Sequence, residues 1–414
     1  MLEHDIVIIG GGPAGMAAAV AAFDKGVTDI VILDRDDDLG GILRQCIHNG
    51  FGLHKLGREL TGPEYAAVYK TQVEERGIKV YYETMVTDLT ADKIVTASNR
   101  DGILKIKAKA VILAMGCRER SRGALNISGK RPAGVYSAGT AQKLMNCEGY
   151  MVGKRAVILG SGDIGLIMAR RMSLEGAKVE AVCELMPYSG GLTRNIVQCL
   201  EDFGIPLYLS TTVCEIHGEH RLEGVTIAEV DANRRVIEET KRYIPCDTLL
   251  LSVGLIPENE LTRSAGIAID PITSGAVVDE HRQTEVPGIF ACGNVLQVHD
   301  LVDYVSDEAE IAGEAAADLV LGNKSGDKSI KTEAGNGVRY VLPQRIAKTD
   351  SDVSLFMRVT QPFGKVRFTV KSGDEVLATA VRLKAAPGEM EKITIKSDKL
   401  GLVKDTVTVS LEEL

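Results

Sequence analysis

The chain has no C-x-x-C pair, no His, Cys, Asp and Glu grouping with metal-ligand spacing, and no cluster of Lys and Arg. The first two absences leave neither a paired-thiol motif nor a metal site to be read from spacing. The third, with a net charge of -9, argues against a nucleic-acid surface or an anionic membrane, because both need clustered positive charge. The uncharged stretch from Ile6 to Phe23 approaches the length that spans a bilayer, but its glycines and proline fall where a strand–turn–helix needs them. A buried segment is therefore expected, with no secretory signal. The eight cysteines, Cys46, Cys117, Cys147, Cys183, Cys199, Cys214, Cys246 and Cys292, are scattered. That usage suits mostly buried thiols in a reducing cytoplasm.

What the chain does have is glycine in a pattern. The spacing G-x-G-x-x-G occurs twice, as Gly10, Gly12 and Gly15 and as Gly160, Gly162 and Gly165. Each copy follows a β-branched run, opens a small-residue helix, and is followed by a second strand that ends in an acid, Asp34 or Glu184, at nearly the same offset. The first glycine makes the tight turn, the second lets the backbone approach a pyrophosphate, and the third lets helix and strand pack closely. The phosphates then lie on the helix N-terminus, where free N–H groups and the dipole favour an anion, and the acid can bond ribose hydroxyls. Two dinucleotides are therefore expected. Glu184 repels a 2′-phosphate and no Arg follows it at once, so NAD is preferred to NADP at the second site.

At 414 residues and 45% hydrophobic, the chain is long enough for two or three domains with buried cores. The pattern predicts an α/β fold with two Rossmann-like, three-layer β/β/α nucleotide-binding domains, the second inserted in the first. Residues 1–120 and 267–321 form the first domain, returning through TEVPGIFACGN and a helix from about Ser306 to Leu321. Residues 121–266 form the second, with a connection over 121–154 that includes a short helix. The Gly, Asn, Lys and Ser cluster over 322–337 reads as a linker. Beyond it, LFMRV, KVRFTV, ATAVRL and TVTVSL alternate apolar and polar residues, predicting a small all-β, sandwich-like domain over 338–414. The connections Ser121–Lys154 and Gly266–Gly275 are hinge candidates.

The order of first fingerprint, AVILAMG, second fingerprint, SVGLIPENEL and GIFACGN resembles the pyridine nucleotide-disulfide oxidoreductases of thioredoxin-reductase-like size. The stretches GGILRQCIHNGFG, LTGPEY, RPAGVYSAGTAQ, LGSGDIGLIMARR and CGNVLQVHDLVDYVS are similar to the accessory FAD subunit of anaerobic glycerol-3-phosphate dehydrogenases. They are more distantly similar to the alpha subunits of opine, proline and hydrogen-cyanide-forming dehydrogenases. The resemblance implies FAD at the first fingerprint and NAD(H) at the second. Gly10, Gly12, Gly15 and Asp34 then take the FAD pyrophosphate and ribose, and Gly293 with Asn294 approaches the flavin side. Cofactor contacts are further expected of Pro13, Ala14, Arg35, Gly41, Gln45, Ala114, Gly116, Asp163, Ile164 and Gly254. Relatives usually carry Asp where Asn294 stands; Asn can still accept and donate at the same reach.

The resemblance also locates what is missing. Thioredoxin reductases carry C-x-x-C shortly before the second fingerprint, and here that stretch reads YSAGTAQ. In the glutathione-reductase type the pair follows the first Gly-Gly turn, and here Gly40 and Gly41 precede a single thiol, Cys46, flanked by Arg44 and His48. A lone cysteine there is similar to NADH oxidases and coenzyme A-disulfide reductases, and is equally readable as a packed small hydrophobe. The run HDLVD supplies His299, Asp300 and Asp303, with His299 and Asp303 as candidates to act at the flavin and the aspartates equally readable as helix caps. His48 and His54 are further candidates for the flavin pocket. The expected chemistry is hydride exchange between NAD(H) and FAD, with electrons passed to or from a small cysteine-rich protein and a partner dehydrogenase subunit. A homodimer is also compatible with the sequence. Two alternatives stay open, a self-contained NADH oxidase, peroxidase or disulfide reductase using Cys46 and a non-catalytic assembly protein with one vestigial nucleotide site.

Overall fold

The structure, a computed structural model, describes residues 1–323, 330–347 and 351–414. It divides into two units, residues 1–117 with 257–414, and 118–256.

In the first unit the apolar runs IVII, IVIL and AVIL become the centre of one sheet. Their residues 6–9, 30–33 and 110–113 are buried on both faces, as expected of parallel strands covered on each side. The parallel order is Lys79–Tyr81, Ile30–Leu33, Leu2–Ile9, Gly102–Leu113, with Ile289–Ala291 pairing beside Gly102–Leu113. Gly102–Leu113 is long enough for two tasks. Its first half closes an antiparallel meander with Ile94–Asn99 and Met85–Leu89, while its second half sits in the parallel sheet. One face is covered by the helices Pro13–Asp24, Gly62–Glu75 and Val302–Val320. The alanines of the first helix allow the last to approach closely, and a Cβ on Gly313 would collide with the Ala18 backbone.

The second unit repeats the plan. Its parallel order is Leu207–Tyr208, Lys178–Cys183, Arg155–Leu159, Thr248–Leu251, Val135–Ser137. Helices Ala138–Asn146, Asp163–Leu174 and Thr193–Cys199 cover one face. A four-stranded sheet of Ser128–Gly129, Thr211–His217, Gly224–Glu229 and Arg242–Pro245 accompanies it. The outer strand comes from opposite sides of the fingerprint in the two units. Ile289–Ala291 arrives late in the chain, whereas Val135–Ser137 precedes its fingerprint.

Beyond the last long helix, two sheets form a sandwich. One is Arg345–Ile346, Ile330–Ala334, Val407–Glu413, Val366–Ser372, Glu375–Arg382, and the other is Val338–Leu342, Val353–Val359, Glu391–Ile395. A register shift between Val338 and Tyr340 interrupts the alternation along Val338–Leu342 and splits its side chains. Val338 and Val341 enter the sandwich core, and Tyr340 and Leu342 join the core of the nucleotide-binding sheet.

Four boundary expectations need correction. The segment 121–154 carries its short helix as Ala138–Asn146 but is more than a connection, because it also contributes the strands Ser128–Gly129 and Val135–Ser137 to the second unit. The chain passes between units at 117/118 and 256/257 rather than at 120/121 and 266/267. The hinge candidate Gly266–Gly275 lies inside the first unit, where a Cβ on Gly275 would strike the Leu296 backbone. The expected linker 322–337 includes the strand Ile330–Ala334, paired with Val407–Glu413, so the β domain begins before 338; residues 324–329 lie outside the described ones. Among the described residues no helix is long and apolar enough to cross a membrane.

Phe368 is fully buried in the sandwich core. Phe368→Ala is expected to destabilise the sandwich by about 3–5 kcal/mol, read as a lowered transition in chemical unfolding. A shift below about 0.5 kcal/mol would show that the core is assigned wrongly.

Candidate functional site

Both glycine turns are built for close approach. Gly10 and Gly160 have φ of +107° and +98°, a region that L side chains rarely adopt. A Cβ on either would also run into a backbone carbonyl, that of Ala114 or of Ser252. Gly15 and Gly165 are closed in as well, by the Gly10 carbonyl in one case and by Ser252 Cβ at 2.7 Å in the other. The middle glycines differ. Nothing lies within 4 Å of a Cβ on Gly12, and the nearest atom to one on Gly162 is Ser252 Oγ at 3.5 Å. Two glycines of each turn therefore serve packing, and the middle one borders open space at a helix start. That is the shape that admits a pyrophosphate, so these turns fit the phosphate portion of a dinucleotide.

The paired acids are anchored to the turns. Asp34 accepts the Gly11 N–H at 2.5 Å and the Asp36 N–H at 2.8 Å. Glu184 accepts the Ser161 N–H at 2.9 Å, the Ser161 hydroxyl at 2.6 Å and the Met186 N–H at 2.9 Å. Burial pushes the Asp34 carboxyl above its ordinary range, opposed by the two backbone donors. Arg35 is exposed.

The helix starts are not equivalent. At the first, Gly12 is the N-cap and Pro13 the first helical residue, with Ala14 and Gly15 buried behind it. At the second, Gly162 is the N-cap and Asp163 the first helical residue, with Ile164 half-buried next to it. Asp163 accepts the Leu192 N–H at 2.8 Å and Asn195 Nδ2 at 2.6 Å, and Ser252 Oγ takes the Gly165 N–H at 3.0 Å. Ser252 and Asn195 were not legible in the sequence. Gly254, at φ +97°, lies two residues past Ser252 and accepts the Arg120 N–H at 3.1 Å.

The Gly40–Gly41 turn packs on the first fingerprint. The Gly40 N–H donates to the Gly11 carbonyl at 2.9 Å, and a Cβ on Gly41 would stand 3.2 Å from Gly12 Cα. A short 3-10 helix, Gly41–Gln45, follows, with Gln45 buried, and leads to Cys46, whose Sγ donates to the Ile42 carbonyl at 3.3 Å. Arg44 reaches Asp37 at 2.8 Å, and the His48 ring lies against Phe51 at 5.1 Å. His54 is exposed and stacks on Tyr304 at 6.3 Å.

Ala114 and Gly116 follow the strand Gly102–Leu113 and lead to Cys117. Asn294 reaches this segment with its Nδ2 3.6 Å from Cys117 Sγ. Its Oδ1 accepts the His299 N–H at 3.0 Å and lies 3.3 Å from His299 Nδ1. The Gly293 N–H, at φ +72°, donates to Glu308 at 3.0 Å. The structure therefore places Asn294 as a turn residue whose oxygen is already taken.

The two polar candidates of HDLVD are enclosed. Asp303 is 2% exposed and accepts three backbone N–H groups, of Gly52 at 3.2 Å, His54 at 3.1 Å and Lys55 at 2.7 Å. It ties the segment after Cys46 to the long helix and does not face an open surface. The His299 side chain is 1% exposed and turns inward to Asn294 and Glu308. Asp300 pairs with Arg358 at 3.4 Å. His299 and Asp303, expected to act at the flavin, are instead enclosed and held by these partners, as buried polar side chains are. Glu308 and Arg282 were missed. Glu308 stands on the same helix face as Val305 and Ala312, and a charge on an apolar stripe was the available signal.

Where a dithiol was sought in YSAGTAQ, Ser137 Oγ lies 2.8 Å from Thr140 Oγ1 at the start of the helix Ala138–Asn146. Burial pushes three other thiols up, Cys183 and Cys246 to about 12 and Cys199 to about 11, and raises Cys292 further. Such thiols are poor nucleophiles.

Two glycine turns with paired acids, on two sheets whose four central parallel strands share one order, define a two-dinucleotide oxidoreductase fold. The chain belongs to the pyridine nucleotide-disulphide oxidoreductase family, whose sequence pattern matches residues 4–316. Members of this family are FAD-dependent oxidoreductases that use NAD(P)H. An opine oxidase subunit of Agrobacterium tumefaciens (strain Ach5) is 25% identical over 372 residues, covering 82% of this chain and 70% of that one. Mitochondrial dihydrolipoyl dehydrogenase of Caenorhabditis elegans is 26% identical over 76% of this chain and 68% of its own length. The crystal structure of T. acidophilum thioredoxin reductase superposes with a TM-score of 0.63 at 25% identity, covering 77% of this chain and 98% of that one.

Gly12 has φ of -73°, so Gly12→Ala introduces no backbone strain and is expected to cost less than about 1 kcal/mol of stability. If this turn receives the FAD pyrophosphate, the added methyl obstructs its approach and retained FAD should fall at least about tenfold. Thermal unfolding of the apoprotein and equilibrium FAD binding check both halves, and unchanged FAD binding would remove the phosphate from this turn.

Proposed function

We propose that this chain holds FAD at the Gly10–Gly15 turn and NAD(H) at the Gly160–Gly165 turn and exchanges hydride between them. Electrons then pass to or from a partner dehydrogenase subunit or another acceptor, in the cytoplasm. The observation that carries this reading is the duplication of the complete turn, in which a backbone N–H next to the first glycine is fixed by the acid ending the next strand.

FAD supplies the hydride and electron chemistry when bound. The residues around it bind and orient. Gly12 and the N–H groups of the helix start would receive the pyrophosphate, Asp34 would meet the ribose, and the segments at Gly41–Gln45, Ala114–Gly116 and Gly293–Asn294 would hold the remainder. At the second turn Gly162 and the start of its helix would receive the nicotinamide dinucleotide, and Glu184 would meet its ribose. The Glu184 carboxylate is held by three donors, so it cannot turn away from a 2′-phosphate, and charge repulsion favours NADH.

The exit route for electrons follows from the absence of C-x-x-C and from the Ser137–Thr140 pair at the helix start. Without a dithiol, the acceptor lies on another molecule. The similar opine oxidase protein is itself one subunit of its enzyme, which supports an assembly. The sequence resemblance favours a glycerol-3-phosphate-oxidising flavoprotein with a small cysteine-rich protein. The position of Cys46, beside the turn that packs on Gly12, supports a second reading as a single-thiol oxidase or peroxidase.

Anaerobic titration with NADH is expected to bleach the flavin band near about 450 nm, with NADPH much less effective. Like charges near a protein surface repel by about 1–4 kcal/mol, so Glu184→Gln should narrow that preference about tenfold or more. FAD-containing protein that neither nucleotide bleaches would overturn hydride exchange in this chain. Cys46→Ser is expected to leave the bleaching rate unchanged, and loss of NADH consumption with oxygen or peroxide in that variant would favour the single-thiol reading.

A further inference from the structure

The sandwich strand Val353–Val359 has a use for each of its faces. Val353, Leu355, Met357 and Val359 enter the sandwich core, so strand alternation turns Phe356 and Arg358 to the opposite side. There Phe356 is buried, with the Arg282 guanidinium 5.5 Å from its ring centre. Tyr340, opposite Arg358 in the antiparallel ladder, joins the core of the nucleotide-binding sheet. Arg358 is thus a cation on a covered sheet face, its side chain 14% exposed.

Its guanidinium reaches the segment that follows the 3-10 turn Gly293–Val295. Nη2 donates to the Val298 carbonyl at 3.0 Å and to the Asp300 carboxylate at 3.4 Å, and Nη1 donates to the Pro387 carbonyl at 3.0 Å. The Met390 N–H donates to the other oxygen of Asp300 at 3.3 Å. One guanidinium and one backbone donor of the sandwich therefore grip the chain on either side of His299. The His299 N–H, between those two points, donates to Asn294 Oδ1 at 3.0 Å, and Asn294 Nδ2 reaches Cys117 Sγ at 3.6 Å. An unbroken series of contacts runs from the sandwich to the side chain of the turn.

The sandwich is also docked elsewhere. The Arg345 N–H donates to the Val278 carbonyl at 3.3 Å, Gln344 Oε1 accepts the Val278 N–H at 3.1 Å, and Glu280 accepts the Ala347 N–H at 3.0 Å. Together with Tyr340 and Leu342 in the core of the neighbouring sheet, these contacts hold the seam independently of residues 298–300. The Arg358 grip is therefore free to serve a local purpose. A planar guanidinium can satisfy two carbonyls and a carboxylate at once, which a lysine ammonium on a flexible stem does less well. A segment held in advance does not have to be ordered when a ligand arrives.

We propose that Arg358 is a positioning residue for the flavin: through it the sandwich holds residues 298–300, and through the His299 N–H that segment keeps Asn294 in the shape that receives the flavin end of FAD. The inference rests on the placement of FAD under Proposed function. It gives the C-terminal sandwich a part in the cofactor site, exerted through Asn294. Without the grip, the segment and the turn sample other shapes. If the competent fraction falls to about one tenth, the FAD dissociation constant rises about tenfold.

The test has a cofactor-free arm and a binding arm. By hydrogen exchange of the apoprotein, the amides of residues 293–300 should exchange at least about tenfold faster in Arg358→Met, while the strands Val366–Ser372 and Val407–Glu413 keep their wild-type protection. FAD affinity should fall about tenfold, and at saturating FAD the circular dichroism of the bound flavin should change, which a loss of stability alone does not produce. Arg358→Lys should restore part of each. Asp300→Asn, outside the sandwich, weakens the same grip from its other end and should shift both readings in the same direction. Wild-type exchange over 293–300 in Arg358→Met and Asp300→Asn overturns the proposal, and so does faster exchange with unaltered flavin dichroism. If Arg358→Met loses protection throughout the sandwich, Asp300→Asn decides by the same two readings. If the wild type binds no FAD, the cofactor placement falls and takes the flavin part of the proposal with it, while exchange still decides whether Arg358 holds the turn.

Discussion

A single backbone hydrogen bond, made twice, organises this molecule. The N–H of the residue after the first fingerprint glycine donates to the acid that ends the next strand, Gly11 to Asp34 and Ser161 to Glu184. It fixes the turn, and the turn fixes where the helix begins relative to the two parallel strands. The left-handed Gly10 and Gly160 complete the constraint, because any side chain there would strike the neighbouring strand's carbonyl. The middle glycines, Gly12 and Gly162, are left uncovered beside that bond.

The two units use the same geometry with different supporting side chains. In the first, a proline begins the helix and the Gly40–Gly41 turn packs against the loop. In the second, Asp163 begins the helix and binds the chain at Leu192 and Asn195, and Ser252 occupies the Gly165 N–H. The first turn is thus enclosed by neighbouring backbone, and the second is dressed with hydrogen-bonding side chains. A retained cofactor and an exchanging one would make those different demands on a site.

Local patterns were legible in the sequence and tertiary ones were not. Both fingerprints, their acids and the alternating strands of the sandwich are encoded within a few dozen consecutive residues, and the structure realises them as an α/β fold with a β sandwich. Val135–Ser137 and Ile330–Ala334 were read as connections because short strands amid Gly, Pro, Asn and Lys carry little periodic signal. Asp303 and His299 looked like chemistry because they are polar and follow Asn294 closely. Their actual partners, the backbone of 52–55 and the Glu308 carboxylate, come from distant segments or the opposite face of a helix. Glu308 was not legible because a single acid on an amphipathic helix ordinarily faces solvent, and only its distant partners make its burial tolerable.

The central claim is that one chain carries two separate dinucleotide sites of different selectivity. Calorimetric titration of the apoprotein, first with FAD and then with NADH, tests it most directly. The account predicts one FAD and one NADH per chain, with excess NADH unable to displace FAD. Competition between the two for a single site, or binding of only one of them, would contradict it.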